Sequence, residues 1–493
     1  MSRDSGAARS PAYDSDGFRD AWATALAEAE ASGHAQVVAA RVELEALDPL
    51  AAFGAFTDAD RFFWAQPGRG RWLVAQGVAA CVESAGSEPI READGAIRLE
   101  MARVHCADRE TRAALRWVGG FSFDANHRAQ GDWARFPSGR LILPRCLLLR
   151  NSDGVLAVLA HRIEAGTSAE SALAAWQTAV AEMLLLGWAP DAGGPSSGES
   201  DSNEVAAEYT VAADRSHSRY RRQVADAVDA IGSGAFEKVV LARSLEVRHR
   251  GRYAVSKFLE RLCAQYPACT VLAVARGGHV LVSASPEFLV SLEGDTLHTQ
   301  AVAGSAPRGS SPEQDALFAS TLRESKKEQA EHAAVVRAVR SALRPSCGEL
   351  EGPESPGLLQ LEGIQHLSTP LTGRLRDDSD VRGVLELVDL LHPTPAVCGL
   401  PREAARAWIE AHEHLERGWY AGPVGWLTAS GAGEFWLALR AGLILQPDDG
   451  SPGEPALARL FAGAGIVEAS QPESELVETR LKLRALLAPL TEI

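Results

Sequence analysis

The chain has 493 residues, 46% of them hydrophobic, which is ample for a large packed core. Its formal net charge is −16, from 65 acidic and 49 basic residues, with no block of five or more Lys and Arg, so duplex nucleic acid is a poor partner. Seven scattered cysteines without a C-x-x-C pair, no apolar leader and no uncharged apolar run of 18 residues predict a soluble, cytoplasmic protein in a reducing compartment, with no membrane span.

Residues 1–17 predict a disordered N-terminal arm. A helical pattern covers about 18–32, and "HAQVVAARVEL" reads as a strand. The apolar segments "RWLVAQGVAACVE", "WVGGFSFD", "GRLILPRCLLLRN" and "GVLAVLAHRI" follow, separated by turns, and the helix "SALAAWQTAVAEMLLLG" closes a first half at 18–187. Residues 188–210 are rich in Gly, Pro and Ser near their start and lack periodicity, so they read as a linker or exposed loop. A G-x-S-x-G match inside that stretch, "GPSSG", has neither the strand nor the helix that a nucleophile elbow requires and is rejected.

The second half, 211–490, opens with the helix "SHSRYRRQVADAVDAIGSG". Strands are predicted at "FEKVVLARSLEVR", "CTVLAVAR", "HVLVSASPEFLVSLEG" and "TLHTQAVAG", then one long helix over about 312–343. Helices near 381–391 and 401–414, a strand pair within 418–445 and a last helix near 473–488 complete the chain. Strands and helices fall into blocks rather than alternating singly. That favours large mixed sheets of the α/β or α+β type over a barrel.

Two helices carry paired carboxylates. In "ESKKEQAEHAAVVRAV", Val335, Val339 and Leu343 define an apolar stripe with His332 close by; Glu328 falls inside the stripe and Glu331 flanks it. A carboxylate on a buried stripe is costly unless it is paired or ligates a cation. A helix end near solvent with Glu–Lys pairs is an equal alternative. In "QPESELVETRLKLRALL", Glu475, Glu478 and Lys482 point one way beside Leu476, Leu483 and Leu487. Together the two pairs offer the oxygen ligands that suit Mg²⁺, whereas zinc would want His or Cys at such spacing. The same spacing is common on solvated helices.

Single residues add acid, base and cation chemistry. Lys238 lies among apolar neighbours in "FEKVVLAR"; a desolvated lysine can serve as a base, and a strand-edge lysine reaching water is the alternative. Glu287, in "SASPEFLV", would be raised in pKa by burial and suit a general acid, or else be a turn carboxylate. Arg440, in "FWLALRAG", faces a carboxylate or phosphate, because a guanidinium cannot shed its charge. Glycines in "AVAGSAPRG" and "GWYAGPVG" allow backbone N–H groups to approach an anion. His366 in "IQHLSTP" reads equally as a core histidine or a hydroxyl contact.

Taken together, "FEKVVLAR", "SASPEFLV", "AVAGSAPRG", "KKEQAEH", "QHLSTPLTG", "HPTPAVCGLP", "YAGPVG", "ALRAG" and "GAGIVEASQPESELVETRLK" resemble the chorismate-utilising enzymes, and among them the isochorismate synthases. The resemblance spans about 213–488; "GGFSFD" and "WARFPSGRLILPR" extend it, less specifically, to the N-terminal half of the long forms. It implies an α/β sandwich of large mixed or antiparallel sheets with outer helices, in which both halves of the chain wrap a common core. It implies Lys238 as the base that activates water and Glu287 as the acid that protonates the departing C4 hydroxyl. It implies Glu331 and Glu478 as principal Mg²⁺ ligands, with Glu328 and Glu475 as companions. Arg440 and Lys482 would meet the substrate carboxylates, with Tyr420, Gly304 and Ser305 beside them and His366 facing the ring.

Lys238 stands where an ammonia-using anthranilate synthase would carry glutamine, and Ala303 where aminodeoxychorismate synthases carry a nucleophilic lysine. Both imply water as nucleophile. The implied activity is a Mg²⁺-dependent isomerisation of chorismate by a monomer, with the long N-terminal half pointing to menaquinone biosynthesis. Alternatives are a salicylate synthase, a siderophore-pathway isochorismate synthase and a catalytically inactive ligand-binding homologue.

Overall fold

Alternate residues along the central strands enter two different cores. Phe62 and Trp64 point to one, Phe63 and Ala65 to the other, as the two-residue period of a strand requires when both faces are covered. The structure is a computed structural model, described for residues 15–44, 46–151, 154–187, 209–447 and 455–491. Of the arm expected at 1–17, residues up to 14 lie outside the described residues; Ser15 caps a helix, Asp16–Ser32. The linker expected at 188–210 lies outside them as far as 208, and Tyr209 begins the strand Tyr209–Ala213.

The strands form two mixed-order sheets, one of thirteen strands and one of nine. Both draw on both halves of the chain. In the larger, Asp60–Gln66 pairs antiparallel with Thr270–Arg276, Ala65 opposite Val271. In the smaller, Arg116–Phe121 pairs antiparallel with Pro423–Thr428, Gly120 opposite Val424. One pairing, Gln36–Leu44 with Val104–Cys106, is parallel. Trp117, Phe121, Trp133, Phe136 and Trp419 fill the core shared by the two sheets. The outer face of the larger sheet carries a second core under helices Asp16–Ser32, Val255–Gln265 and Pro472–Thr491, built from residues such as Phe18, Phe258 and Leu486.

Three predicted elements are divided. The single strand expected at 279–294 is two: His279–Ser285 in the larger sheet and Phe288–Glu293 in the smaller. Pro286, which has no N–H to give a ladder, lies at the crossing. The strand pair expected within 418–445 is three strands, and the chain crosses back between Gly433–Leu437 and Ala441–Leu445. The helix expected at 312–343 is broken at Ser325 into Pro312–Glu324 and Lys326–Leu343. Ser325 is extended and its hydroxyl accepts from Glu328 N–H, so a hydroxyl that prefers a cap ends one helix and starts the next.

A buried ion pair ties the 413–418 segment to the strand Lys238–His249. The Glu413 carboxylate accepts from Arg417 Nε and from the Ala242 N–H, each at 2.7 Å, while Arg417 donates to the carbonyls of Val240 at 2.7 Å and Val397 at 2.9 Å. Removing one partner strands a buried charge. Glu413→Ala is expected to lower stability by about 3–5 kcal/mol in chemical denaturation; a loss under about 1 kcal/mol would show the pair to be dispensable.

Candidate active site

The two sheet-to-sheet crossings lie side by side. Ser283 and Ser285 donate their hydroxyls to the carbonyls of Leu439 and Leu437. Leu437 N–H donates to Glu287 O, and Ala284 N–H to Arg440 O, both at 3.1 Å. The lacing presents Glu287 and Arg440 at one cavity, and Arg440 takes a positive φ of 44° to do so.

All twelve positions expected at the site line that cavity. Lys238 enters from the start of its strand and Glu331 from the second turn of the helix after Ser325. Their side chains meet at 2.7 Å with only 7% and 18% of their surfaces exposed. Gly465, on the neighbouring strand, leaves the room: a Cβ there would stand 3.0 Å from Lys238 Cε. The last helix supplies Glu475, Glu478 and Lys482. Lys482 Nζ lies 2.8 Å from Glu478 Oε1 and donates to Gly463 O at 2.9 Å. Gly304, at φ +77°, sits in a bulge that brings Ser305 N–H to Glu328 Oε2 at 3.2 Å and Ser305 Oγ to His366 Nδ1 at 2.8 Å. Tyr420 stacks on Phe461 with ring centroids 5.0 Å apart.

The predicted stripe of the Glu328 helix is buried: His332, Val335, Val339 and Leu343 all face inward, and His332 Nε2 pairs with Thr369 Oγ1 at 2.7 Å. Glu328 and Glu331 stand at the rim of that stripe, mostly buried, and line the cavity.

Electrostatics separate the carboxylates. Burial pushes Glu287 up to about 7, against the opposing pull of the Lys238 and Lys482 charges. Burial, then the charge of Glu478, pushes Glu475 up to about 7. Burial and the Glu331 charge raise Glu328 as well, with Glu478 adding to the effect. Burial acts on Glu478 in the same sense, but the Lys482 ammonium, by charge and hydrogen bond, outweighs it and holds Glu478 below the ordinary range. His366 falls to about 3 through burial and the Lys482 and Arg440 charges, so its ring is neutral at working pH.

Glu328, Glu331, Glu475 and Glu478 are the residues that could hold a cation. The set is all oxygen, and beyond burial the charges of Glu331 and Glu478 raise Glu328 and that of Glu478 raises Glu475, a crowding of like charge that a hard divalent ion relieves. Among the described residues no three His, Cys, Asp or Glu side chains already form a ligand cluster. Glu331 and Glu478 instead each bind a lysine.

Two further cavity residues escaped the sequence reading. Arg417 lines the wall, its guanidinium engaged by Glu413 and two carbonyls; the four-residue spacing to Glu413 was its signal. Lys327 also lines it, four residues before Glu331 and so on the same helix face.

A family profile described as "Chorismate binding enzyme" matches residues 24–491. The chain belongs to the chorismate-binding enzyme family. This chorismate-binding enzyme is 34% identical over 480 residues to the salicylate biosynthesis isochorismate synthase of Pseudomonas aeruginosa, covering 97% of the chain and 94% of the relative. It is 32% identical over 484 residues to the isochorismate synthase MenF of Bacillus subtilis, covering 96% and 97%. The solved structure of MenF, the menaquinone-specific isochorismate synthase of Escherichia coli, shares the fold, with a TM-score of 0.73 over 95% of this chain and 100% of that one at 24% identity.

Gly304 tests the local geometry. Its φ of +77° disfavours any side chain, and a Cβ would lie 3.1 Å from Glu328 Oε2. Gly304→Ala is expected to cost about 1–3 kcal/mol on denaturation; unchanged stability would mean that the bulge adapts freely.

Proposed function

We propose that the chain is an isochorismate synthase that converts chorismate to isochorismate by adding water at C2 and expelling the C4 hydroxyl. The observation that carries this reading is the pairing, in one cavity, of Lys238 with Glu287. The lysine is a potential base, and the carboxyl, raised to about 7, keeps a proton available near neutral pH. The Lys238 charge acts on Glu287, as expected of two groups that share one cavity. Water is a weak nucleophile and hydroxide a poor leaving group, so the reaction needs both partners.

Each remaining residue has a role in binding. Arg440 Nη1 is buried without a hydrogen-bond partner, a guanidinium free to take a substrate carboxylate. Lys482 is held by Glu478 and Gly463 O at the same wall. Neutral His366, fixed by Ser305, faces the ring without adding charge. Tyr420 lines the cavity, stacked on Phe461, and the Gly304–Ser305 bulge brings Ser305 N–H to Glu328. Glu331 and Glu478, with Glu328 and Glu475 beside them, would hold Mg²⁺. When bound, Mg²⁺ polarises the substrate carboxylate and stabilises charge gathering there.

The pathway the chain fits is menaquinone biosynthesis, supported by full-length likeness to Bacillus subtilis MenF. The salicylate-biosynthesis relative matches over the same length, so the long N-terminal half does not by itself distinguish the branches. Deletion of the gene from its own host is expected to abolish menaquinone; loss of salicylate or a siderophore with menaquinone retained would move the chain to that branch.

Purified protein with chorismate and Mg²⁺ is expected to form isochorismate without releasing pyruvate. Pyruvate release would make it a salicylate synthase, and no turnover at all an inactive binding homologue. Lys238→Ala should remove hydration at C2 while the protein stays folded; full activity in that variant would take the lysine out of the mechanism.

The pH profile follows from Glu287. Its folded pKa, raised to about 7, keeps the acid form dominant below that pH, so activity should fall roughly tenfold per unit on the alkaline side. Glu287→Gln should lose roughly 10²-fold or more in kcat and with it this alkaline limb; a variant that keeps the limb would assign it to another group.

A further inference from the structure

A surface groove adjoins the active-site cavity. It is walled by the 231–237 turn, Pro401 and Glu468–Ala469, and Lys327 and Val467 line both spaces. Lys327 therefore stands where the groove and the cavity adjoin, the place at which we take the cavity's mouth to lie. Among the described residues of that groove the other charged side chains are Glu237 and Glu468, both acidic, on a chain of net charge −16. Lys327 is the one cation among the described residues that line this groove, and so the one that attracts a dianion there.

The cations of the cavity differ in how far they are already committed. Lys238 and Lys482 are bonded to Glu331 and Glu478 at 2.7 and 2.8 Å. Arg417 is consumed by Glu413 and two carbonyls. Arg440 is uncommitted but lies within. Lys327 is 49% exposed, and Glu328 Oε1 stands 3.7 Å from its Nζ, beyond hydrogen-bond reach. It is an exposed, weakly paired positive charge at the boundary between groove and cavity, and its field also opposes the upward shifts of Glu328 and Glu475.

We propose that Lys327 is the entrance cation of the enzyme, which attracts the dicarboxylate substrate at the mouth and takes no part in the chemistry. The proposal rests on the isochorismate synthase reading only for the identity of the dianion. An exposed charge of this kind acts through a field that salt screens, so it strengthens binding at low ionic strength and little at high. Lys326, the preceding residue, is exposed and lines neither space, which makes it a matched control for the loss of one charge.

The test measures chorismate affinity by calorimetry and turnover in parallel, with Mg²⁺ present, on the full chain. Lys327→Gln should weaken binding roughly three- to fivefold at about 20 mM salt and less than about twofold at about 500 mM. Its kcat should stay near the wild-type value; Lys327→Arg should restore affinity and Lys326→Gln leave it unchanged. Unchanged affinity in Lys327→Gln would overturn the proposal. So would an equal loss in Lys326→Gln, a loss that persists at high salt, or a fall in kcat with a shifted Mg²⁺ titration, which would place Lys327 among the carboxylates' working partners. A wild-type protein that binds chorismate but makes no isochorismate would defeat the functional reading alone, with the affinity comparison still deciding Lys327. Failure of the wild type to bind chorismate would defeat both.

Discussion

Two chain segments must leave one sheet and join the other at the same place, and the hydrogen bonds between them make the site possible. Ser283 and Ser285 on one crossing reach the carbonyls of Leu439 and Leu437 on the other, and backbone bonds from Leu437 N–H to Glu287 O and from Ala284 N–H to Arg440 O complete the lacing. A strand that changes sheets forfeits its ladder for a few residues, and its polar groups must find partners elsewhere. Here they find one another. Glu287 and Arg440 therefore sit on backbone whose position is determined from both sheets, which suits a carboxyl and a guanidinium that must hold still while a substrate reacts.

The second constraint is charge. An anionic protein that binds an anion must reverse its sign locally, and this cavity does so with cations that are mostly pre-bound to carboxylates. Lys238 with Glu331, and Lys482 with Glu478, are each nearly neutral as pairs. The pairs keep the lysines in place, and they restrain a like-charge repulsion that, after burial, helps to raise Glu328 and Glu475. A divalent cation shared by those carboxylates would take over that task, leaving Lys482 to the substrate and Lys238 free to act as a base. Each component thus depends on the others, as expected where charged groups are placed at close quarters in a poorly solvated site.

Much of this was legible in the residues. The apolar stripe of Val335, Val339 and Leu343 and the Glu475, Glu478, Lys482 face follow from helical spacing, and Arg440 is conspicuous in an apolar strand. What spacing did not reveal is the sheet change. "HVLVSASPEFLVSLEG" is apolar and β-prone throughout, so periodicity sees one strand, and only Pro286 marks the place where the ladder must stop. The strand "DRFFWAQ" was missed for a related reason: both of its faces are buried, and it shows no alternation.

The break at Ser325 teaches most. Ser-x-x-Glu at 325–328 is the signature of a capping box, in which the glutamate would turn back to the serine's own N–H. Only half of the box forms. Ser325 Oγ accepts from Glu328 N–H, but Ser325 N–H is bonded to Thr321 O in the preceding helix, and the Glu328 carboxylate reaches instead to Ser305 N–H. The capping partner has been reassigned to the cavity. That reassignment is affordable because the preceding helix already satisfies the donor that Glu328 would have covered. It also explains why the long helix could not run straight. An unbroken helix would need the Ser325 hydroxyl for nothing, and the kink lets the helix N-terminus, with Glu328 on it and Glu331 one turn on, face the Gly304 bulge. The local rule that the sequence follows, a capped helix, is thus completed from one side only, and the freed carboxylate joins Glu331 and Lys327 at the cavity.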